Sequence, residues 1–398
     1  MVRALNCVKN FDFVSVTRIV FGLGQFNRIG ELAAEFGRHA FVVSNADRKG
    51  THGLHKRLHD LLASKGVALT LFWQNGEPTA PEIDRGAREA AQAGCDLFIG
   101  LGGGSAIDAA KAIAGLHTNG GSALDYMEVV GRGMKISKPG APFIAVPTTA
   151  GTGAEVTRNA VVGLTESGKE FKASIRSEHL LARVALVDAE LAVRVSPEIT
   201  ARTGMDALTQ LIESYTSTGA QPITDALALQ GIRLASRALL AVYNDGGNLK
   251  AREEMALAAL LSGITLTNAG LGAVHGFAAP LGARFPVPHG TVCAALLPPV
   301  IEANIAALMA KSPVHAGLAR YEELARILTD DANEQPAAAA HYTNVLKQKL
   351  RIPGLSQFGF READIPEMVA LAKKSSSMRY NPIALSDLAL GAILKDAL

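Results

Sequence analysis

Residues 96–115 read "DLFIGLGGGSAIDAAKAIAG". The run opens with an apolar segment of strand length, turns through Gly102, Gly103 and Gly104, and continues into an alanine-rich segment of helical composition. A strand, a glycine turn and a helix in that order make half of a βαβ unit, the building block of a parallel sheet. Without a Cβ, glycines let backbone N–H groups approach an anion. The helix start behind them, with Ser105 and then Asp108 and Lys111, adds free donors and the positive end of the helix dipole. A pyrophosphate fits such a turn. A second segment, "PTTAGTGAEVT" (147–157), follows another strand candidate and is dense in Thr and Gly, as a loop offering hydroxyls to ribose and phosphate oxygens is. Taken alone, the two also read as ordinary βα turns, where Gly is common.

Outward from this point the same alternation holds from about residue 12 to 187. Strand candidates are "HAFVVS" (39–44), "VALTLFW" (67–73), "DLFIGLG" (96–102), "FIAVP" (143–147) and "VALVD" (184–188), with helical patterns such as "PEIDRGAREAAQAG" (81–94) between several of them. From about 196 the composition shifts to long Ala/Leu-rich stretches of helical period, "SPEITARTGMDALTQLIESYTS", "PITDALALQGIRLASRALLAVY" and "AREEMALAALLSGITLTNAG". The chain therefore reads as an α/β part with a Rossmann-like parallel sheet, residues 1–190, followed by an all-helical part, 191–398. "FGLGQFNRIG" has G-x-G at Gly22 and Gly24, but the next glycine, Gly30, stands too far on for the G-x-G-x-x-G fingerprint, and a tight turn explains it.

A chain of 398 residues exceeds what one core serves well, so two domains are expected. With 39 Lys+Arg against 37 Asp+Glu and no run of like charge, nucleic acid is not an expected partner. Cys7, Cys95 and Cys293 lack C-x-x-C spacing and read as packing residues of a reducing compartment. The N-terminus lacks a signal-peptide h-region, and no apolar run approaches the roughly 20 residues that span a bilayer, so a cytoplasmic protein without membrane partners is expected.

Together, "GGGSAIDAAKAIA", "PTTAGTGAEVT", "TGMDALTQLIESYTS", "PITDALALQ", "VHGFAAPLGARFPVPHG" and the C-terminal "NPIALSD" resemble the iron-containing (group III) alcohol dehydrogenase family over nearly the whole chain. The resemblance implies a dinucleotide-binding α/β domain, a helical domain in the manner of dehydroquinate synthase, and a cleft holding NAD or NADP and a divalent metal, iron or zinc. It assigns Gly102, Gly103, Gly104, Ser105 and Asp108 to the pyrophosphate and nicotinamide-ribose side, and Thr148, Thr149, Thr152 and Lys172 to the rest of the coenzyme channel. Where the family places an acidic residue for the adenosine ribose, this chain has Asn45. An amide does not repel a 2′-phosphate, Arg48 lies near enough in sequence to pair with one, and Asp47 remains available to a ribose, so NAD and NADP both stay open. The implied partners are a small alcohol, aldehyde or oxo acid and further copies of the chain, as a homodimer or larger homo-oligomer.

The implied metal ligands, which are also the expected catalytic centre, are Asp206, His275 and His289. Gln210 stands where the family has a fourth ligand, a histidine one helical turn after the aspartate. Three protein ligands suffice for an open catalytic site. Gln210 either adds its carbonyl oxygen, a harder and weaker donor than imidazole, or points away and hydrogen-bonds a bound water. Ala279 replaces a second family histidine, four residues after His275, which leaves the proton route to water, a ribose hydroxyl or no protein group. From spacing alone these residues also read as surface polars and a satisfied buried histidine. His52, His55 and His59 share a helix face with Lys56 and Arg57, which suits a solvated amphipathic helix rather than a cation site, and Ser375, Ser376 and Ser377 read as loop. The alternative chemistry is an oxo-acid reductase of the maleylacetate reductase kind, metal-independent, with Arg158 and Arg284 as candidates to grip a carboxylate. A dehydroquinate synthase-like lyase and a non-catalytic binding protein rank below both.

Overall fold

A computed structural model describes residues 10–15, 17–46, 53–166 and 169–398. Its strands are β1 (Arg18–Phe21), β2 (His39–Ser44), β3 (Ala68–Trp73), β4 (Leu97–Gly102), β5 (Phe143–Pro147), β6 (Asn159–Glu166), β7 (Lys169–Arg176) and β8 (Val184–Val187). Six of them form one parallel sheet in the order β1-β8-β5-β4-β2-β3, and β6 and β7 make a separate antiparallel hairpin. All five strand candidates are strands of the sheet, with ends displaced by no more than one residue. The sequence reading missed β1, whose four residues begin exposed at a sheet edge, and the hairpin, which is not part of the parallel sheet.

The helices of this half are α1 (Ile29–Ala34), α2 (Leu54–Ala63), α3 (Ala80–Gln92), α4 (Gly104–Asn119) and α5 (Ala123–Tyr126). β4 is buried along its whole length, which is why it reads as a continuous apolar run. Leu97, Ile99 and Leu101 pack on one face with Ile29 of α1 and Leu58 and Leu62 of α2, while Phe98 packs on the other with Ile83 of α3 and Ile107 and Ile113 of α4. Helix α2, which follows β2, and helix α4, which follows β4, therefore cover opposite faces. Because β2 and β4 are hydrogen-bonded neighbours, the chain leaves their C-terminal ends in diverging directions and opens the crevice where such sheets bind ligands.

The helical half comprises α6 (Pro197–Thr216), α7 (Pro222–Asn244), α8 (Leu249–Ala269), α9 (Ala273–Arg284), α10 (His289–Lys311), α11 (Ala316–Thr329), α12 (Ala337–Lys349), α13 (Ile365–Ala372) and α14 (Asp387–Asp396). α6 starts where Ser196 accepts a hydrogen bond from the Ile199 N–H and Pro197 takes the first helical position. From Gly204 to Thr216 it is buried on all sides, so its polar residues need partners inside the protein.

One expectation from sequence is corrected here. α7 and α10, 23 residues each, are long and apolar enough to cross a bilayer by length and composition. The apolar surface of α10 is instead spent on the helical core, against α6, α9 and α12, and its most apolar window is 72% buried.

Candidate active site

The glycine turn and the Thr/Gly loop, 44 residues apart in sequence, lie against each other. Thr148 N–H donates to Gly102 O at 2.9 Å, continuing the pairing of β4 with β5. A Cβ on Gly104 would fall 2.8 Å from Thr152 Oγ1, and one on Gly103 would fall 3.4 Å from Thr149 Oγ1. Bare backbone at 104 is thus what lets the two loops close on one another, while a Cβ at 103 would make only an ordinary contact. Asn45, at the end of β2, accepts the Gly103 N–H through Oδ1 at 3.1 Å and ties the two sides of the sheet's switch point together. Ser105 sits in the first turn of α4. Asp47 and Arg48, and with them the sequence argument on the 2′-phosphate, lie outside the described residues.

One turn into α4, Asp108 accepts the Val161 N–H at 3.0 Å and faces Lys111 Nζ at 3.4 Å. Burial raises its pKa against the pull of Lys111. Lys111, itself 1% exposed, donates to Ala154 O, Thr157 Oγ1 and Asn159 O at 2.7–2.9 Å, so it clamps the Thr/Gly loop to α4. Lys172 on β7 pairs with Glu77 at 2.7 Å, and its Nζ would lie 3.1 Å from a Cβ on Gly282 of α9.

The Thr/Gly loop also reaches the helical half. A Cβ on Gly151 would strike Thr203, which stands three residues ahead of Asp206 on α6. On α6, Asp206, Gln210 and Glu213 follow at i, i+4 and i+7, one face of the helix, and are 2%, 4% and 5% exposed. α9 turns off α8 by 102° and presents His275 to that face. Its start is held by Asn381, whose Oδ1 accepts the Ala273 N–H at 3.1 Å, and by Glu213, whose Oε1 accepts the Val274 N–H at 2.7 Å. α10 begins at His289, and Gly290 is what allows it to arrive: a Cβ there would lie 2.1 Å from Arg202 O on α6.

Three helices therefore converge. His275 Nε2 is 3.3 Å and His289 Nε2 3.5 Å from Asp206 Oδ1, and Cys293, one turn after His289, brings Sγ to 3.7 Å from His275 Nε2. One donor atom from each of the four lies within 4.8 Å of every other. Cys293 is a fully buried member of the helical core, as the packing reading expects, but its sulfur also faces this cluster, and the His-x-x-x-Cys spacing in "HGTVC" (289–293), which puts both side chains on one helix face, was the signal available for that. Cys95 is buried in the α/β core, as expected, and Cys7 lies outside the described residues.

Two features make this cluster fit a metal. Asp206 Oδ1 is buried and makes no well-formed hydrogen bond, with only the two imidazole nitrogens at 3.3 and 3.5 Å, so a cation, whether a proton on an imidazole or a metal, has to balance its charge. Glu213 Oε2 accepts from His275 Nδ1 at 2.5 Å, which fixes the tautomer and leaves Nε2 facing the cluster, the arrangement common behind metal-bound histidines. Burial opposes ionisation of Asp206, yet His289 and His275 hold its carboxyl well below the usual carboxylate range. Burial likewise pulls both imidazoles down, but the Cys293 sulfur, Asp206 and, at His275, Glu213 drive them up, His289 to about 10. Donors this electron-rich favour a cation, proton or metal.

Gln210 Oε1 accepts the Ser262 hydroxyl of α8 at 2.7 Å. Ala279, one turn beyond His275, is exposed. Arg158 and Arg284, the residues that would mark an oxo-acid reductase, are paired with Glu178 and Glu367 at 3.4 and 3.1 Å. His55 and His59 lie on α2, where His55 meets Ser44 and Trp73 and His59 meets Asp60; His52 is outside the described residues. Ser375, Ser376 and Ser377 form a turn between α13 and the loop carrying Asn381.

The model of the iron-containing alcohol dehydrogenase family matches residues 16–189, and that of the family's C-terminal part matches 200–398. The chain belongs to the iron-containing alcohol dehydrogenase family. Family relatives include alcohol dehydrogenase 4 of Schizosaccharomyces pombe, 36% identical over 87% of this chain and 79% of its own. The NAD-dependent methanol dehydrogenase of Bacillus methanolicus is 32% identical over 95% and 97%, and the 1,3-propanediol dehydrogenase of Klebsiella pneumoniae 34% identical over 97% and 98%. Among solved structures, a 1,3-propanediol oxidoreductase superposes with a TM-score of 0.88 at 32% identity, covering 98% of this chain and all of its own. The sulfoacetaldehyde reductase of Bifidobacterium kashiwanohense, solved with NAD+, superposes at 0.84 and 28% identity over 98% and 99%. The α/β plus helical fold and the family resemblance expected from sequence are both found.

Proposed function

We propose that this chain interconverts a small alcohol with its aldehyde or ketone, using a nicotinamide dinucleotide held by residues 1–190 and a divalent metal, iron or zinc, held by 191–398. The observation that carries this reading is the convergence of Asp206, His275 and His289 around a buried carboxylate oxygen that makes no well-formed hydrogen bond, in a chain of this family. A metal there supplies Lewis acidity toward the alcohol or carbonyl oxygen, and the nicotinamide exchanges hydride with the carbon.

The protein's own work is positional. Gly104 and Ser105 offer N–H groups at the start of α4 to the pyrophosphate, while the Gly103 N–H is held by Asn45, with Thr148, Thr149 and Thr152 facing them and Asp108 bracing the helix behind. Asn45 and Lys172 stand at the two ends of the coenzyme channel, whose adenosine end accepts NAD or NADP. Asp206, His275 and His289 hold the ion, and Glu213 orients His275. With Ala279 in place of an imidazole, the route of the alcohol's proton is left to water, a ribose hydroxyl or no protein group. The reading carries with it a cytoplasmic homo-oligomer, which light scattering of the purified protein checks for assembly. Its central test is a screen of alcohols, aldehydes and oxo acids with each coenzyme, run on metal-replete protein. Reversible hydride transfer to simple aldehydes is expected, and its absence under every combination refutes the reading.

A further inference from the structure

We propose that Cys293 is a protein ligand of the metal, its thiolate taking the place that the family's fourth histidine leaves at Gln210. This rests on the metal reading above. Typical bond lengths of about 2.0–2.1 Å to N or O and about 2.3 Å to S place the donors of a tetrahedral site about 3.4 Å apart, or about 3.6 Å for an N–S pair. Three of the six donor pairs are near these values, at 3.3 and 3.5 Å for the two imidazoles to Asp206 Oδ1 and 3.7 Å from Cys293 Sγ to His275 Nε2, and all six lie within 4.8 Å, so a bound ion would draw the donors together. The same spot needs a cation, since Asp206 Oδ1 is buried and makes no well-formed hydrogen bond.

Packing alone is a weaker account of this cysteine. Cys293 is buried in the helical core, but its sulfur also meets an imidazole nitrogen at a convergence of four ligand-type side chains, which packing does not require. Gln210 supplies the complementary half of the argument. Its oxygen is engaged with Ser262 on α8, so residue 210 serves the contact of α6 with α8 while residue 293, on the same helix face as His289, closes the donor set. In this chain α6 offers no imidazole at 210, while α10 offers a sulfur at 293. The donor set becomes one carboxylate, two imidazoles and one thiolate. A soft, anionic sulfur shifts the preference from iron toward zinc, and a second negative ligand weakens the ion's pull on the substrate oxygen.

The test uses full-length protein stripped of metal and reloaded with cobalt(II) or zinc(II). Cobalt protein should show a thiolate-to-cobalt charge-transfer band in the near ultraviolet. Cys293→Ser should lose that band and bind cobalt at least tenfold more weakly, and Gln210→His combined with Cys293→Ser should regain affinity without the band. Zinc-edge X-ray absorption on the unmutated protein should place one sulfur at about 2.3 Å, a measurement that needs no variant to fold. Bound metal with a nitrogen and oxygen shell only, or a band unchanged in Cys293→Ser, overturns the ligand assignment and leaves the metal reading standing. Failure to bind cobalt, zinc or iron at all overturns both.

Discussion

Glu213 shows how much of this site hangs on a residue that touches no substrate. Its carboxylate accepts from His275 Nδ1 and from the Val274 N–H, so it sets both the tautomer of His275 and the start of the helix that carries it. Outer partners of this kind are worth 10–100-fold in metal affinity. Glu213→Gln should therefore lower metal affinity by about that factor while the fold, read by circular dichroism, is retained; undiminished metal content would remove Glu213 from this role. Glu155, 3% exposed in the Thr/Gly loop, makes a different residue-scale prediction. Burial, opposed by its own backbone and by Lys111, pushes its carboxyl from an ordinary 4.5 up to about 7. Between those values the folded protein binds a proton that the unfolded chain releases. The stability this contributes is full below about pH 4.5 and lost as pH rises through about 7. Glu155→Gln should flatten that slope and raise stability at pH 8 by up to roughly 3 kcal/mol. Equal melting-temperature differences between pH 5 and pH 8 in parent and variant would show that Glu155 carries no such proton. The i, i+7 spacing of Glu213 from Asp206 was readable in sequence, but its partner, 62 residues away, was not.

Among elements, the facing glycine and threonine loops make the clearest demand. Gly104→Ala would put a methyl 2.8 Å from Thr152 Oγ1, on a β-branched side chain with little rotamer freedom and an existing bond to the Ala154 N–H. The loops must part. The coenzyme KM should rise by about tenfold, equivalent to about 1.4 kcal/mol, with metal content unchanged; an unaltered KM would mean that the loops do not border the coenzyme. These loops were legible as turns after apolar strands, and the family motif, rather than their glycines alone, pointed them at a coenzyme. The hairpin β6–β7 was not, although Lys172 on it reaches toward Gly282 of α9, because its pairing is antiparallel and stands apart from the sheet whose alternation organised the reading.

For the whole molecule, the metal would join α6, α9 and α10 at a point where four ligand-type side chains already face one another. An ion that binds the folded state and not the unfolded one adds about 2.7 kcal/mol at 100 times its Kd. Stripping it with a chelator should lower the melting temperature by a few degrees, and zinc or iron should restore it; a melting curve indifferent to both would mean that the cluster holds no ion. Local composition was enough for the parallel sheet, the helical second half and the glycine turn, which announce themselves through period and spacing within a short window, whereas Asp206, His275 and His289 came from the family resemblance and not from spacing. Folding alone settled the engagement of Gln210 with Ser262, the pairing of Arg158 and Arg284 with glutamates, and the arrival of Cys293 beside His275. Those facts depend on which helix faces meet, and close approaches such as Gly290 against the α6 backbone join residues dozens of positions apart that no local pattern connects.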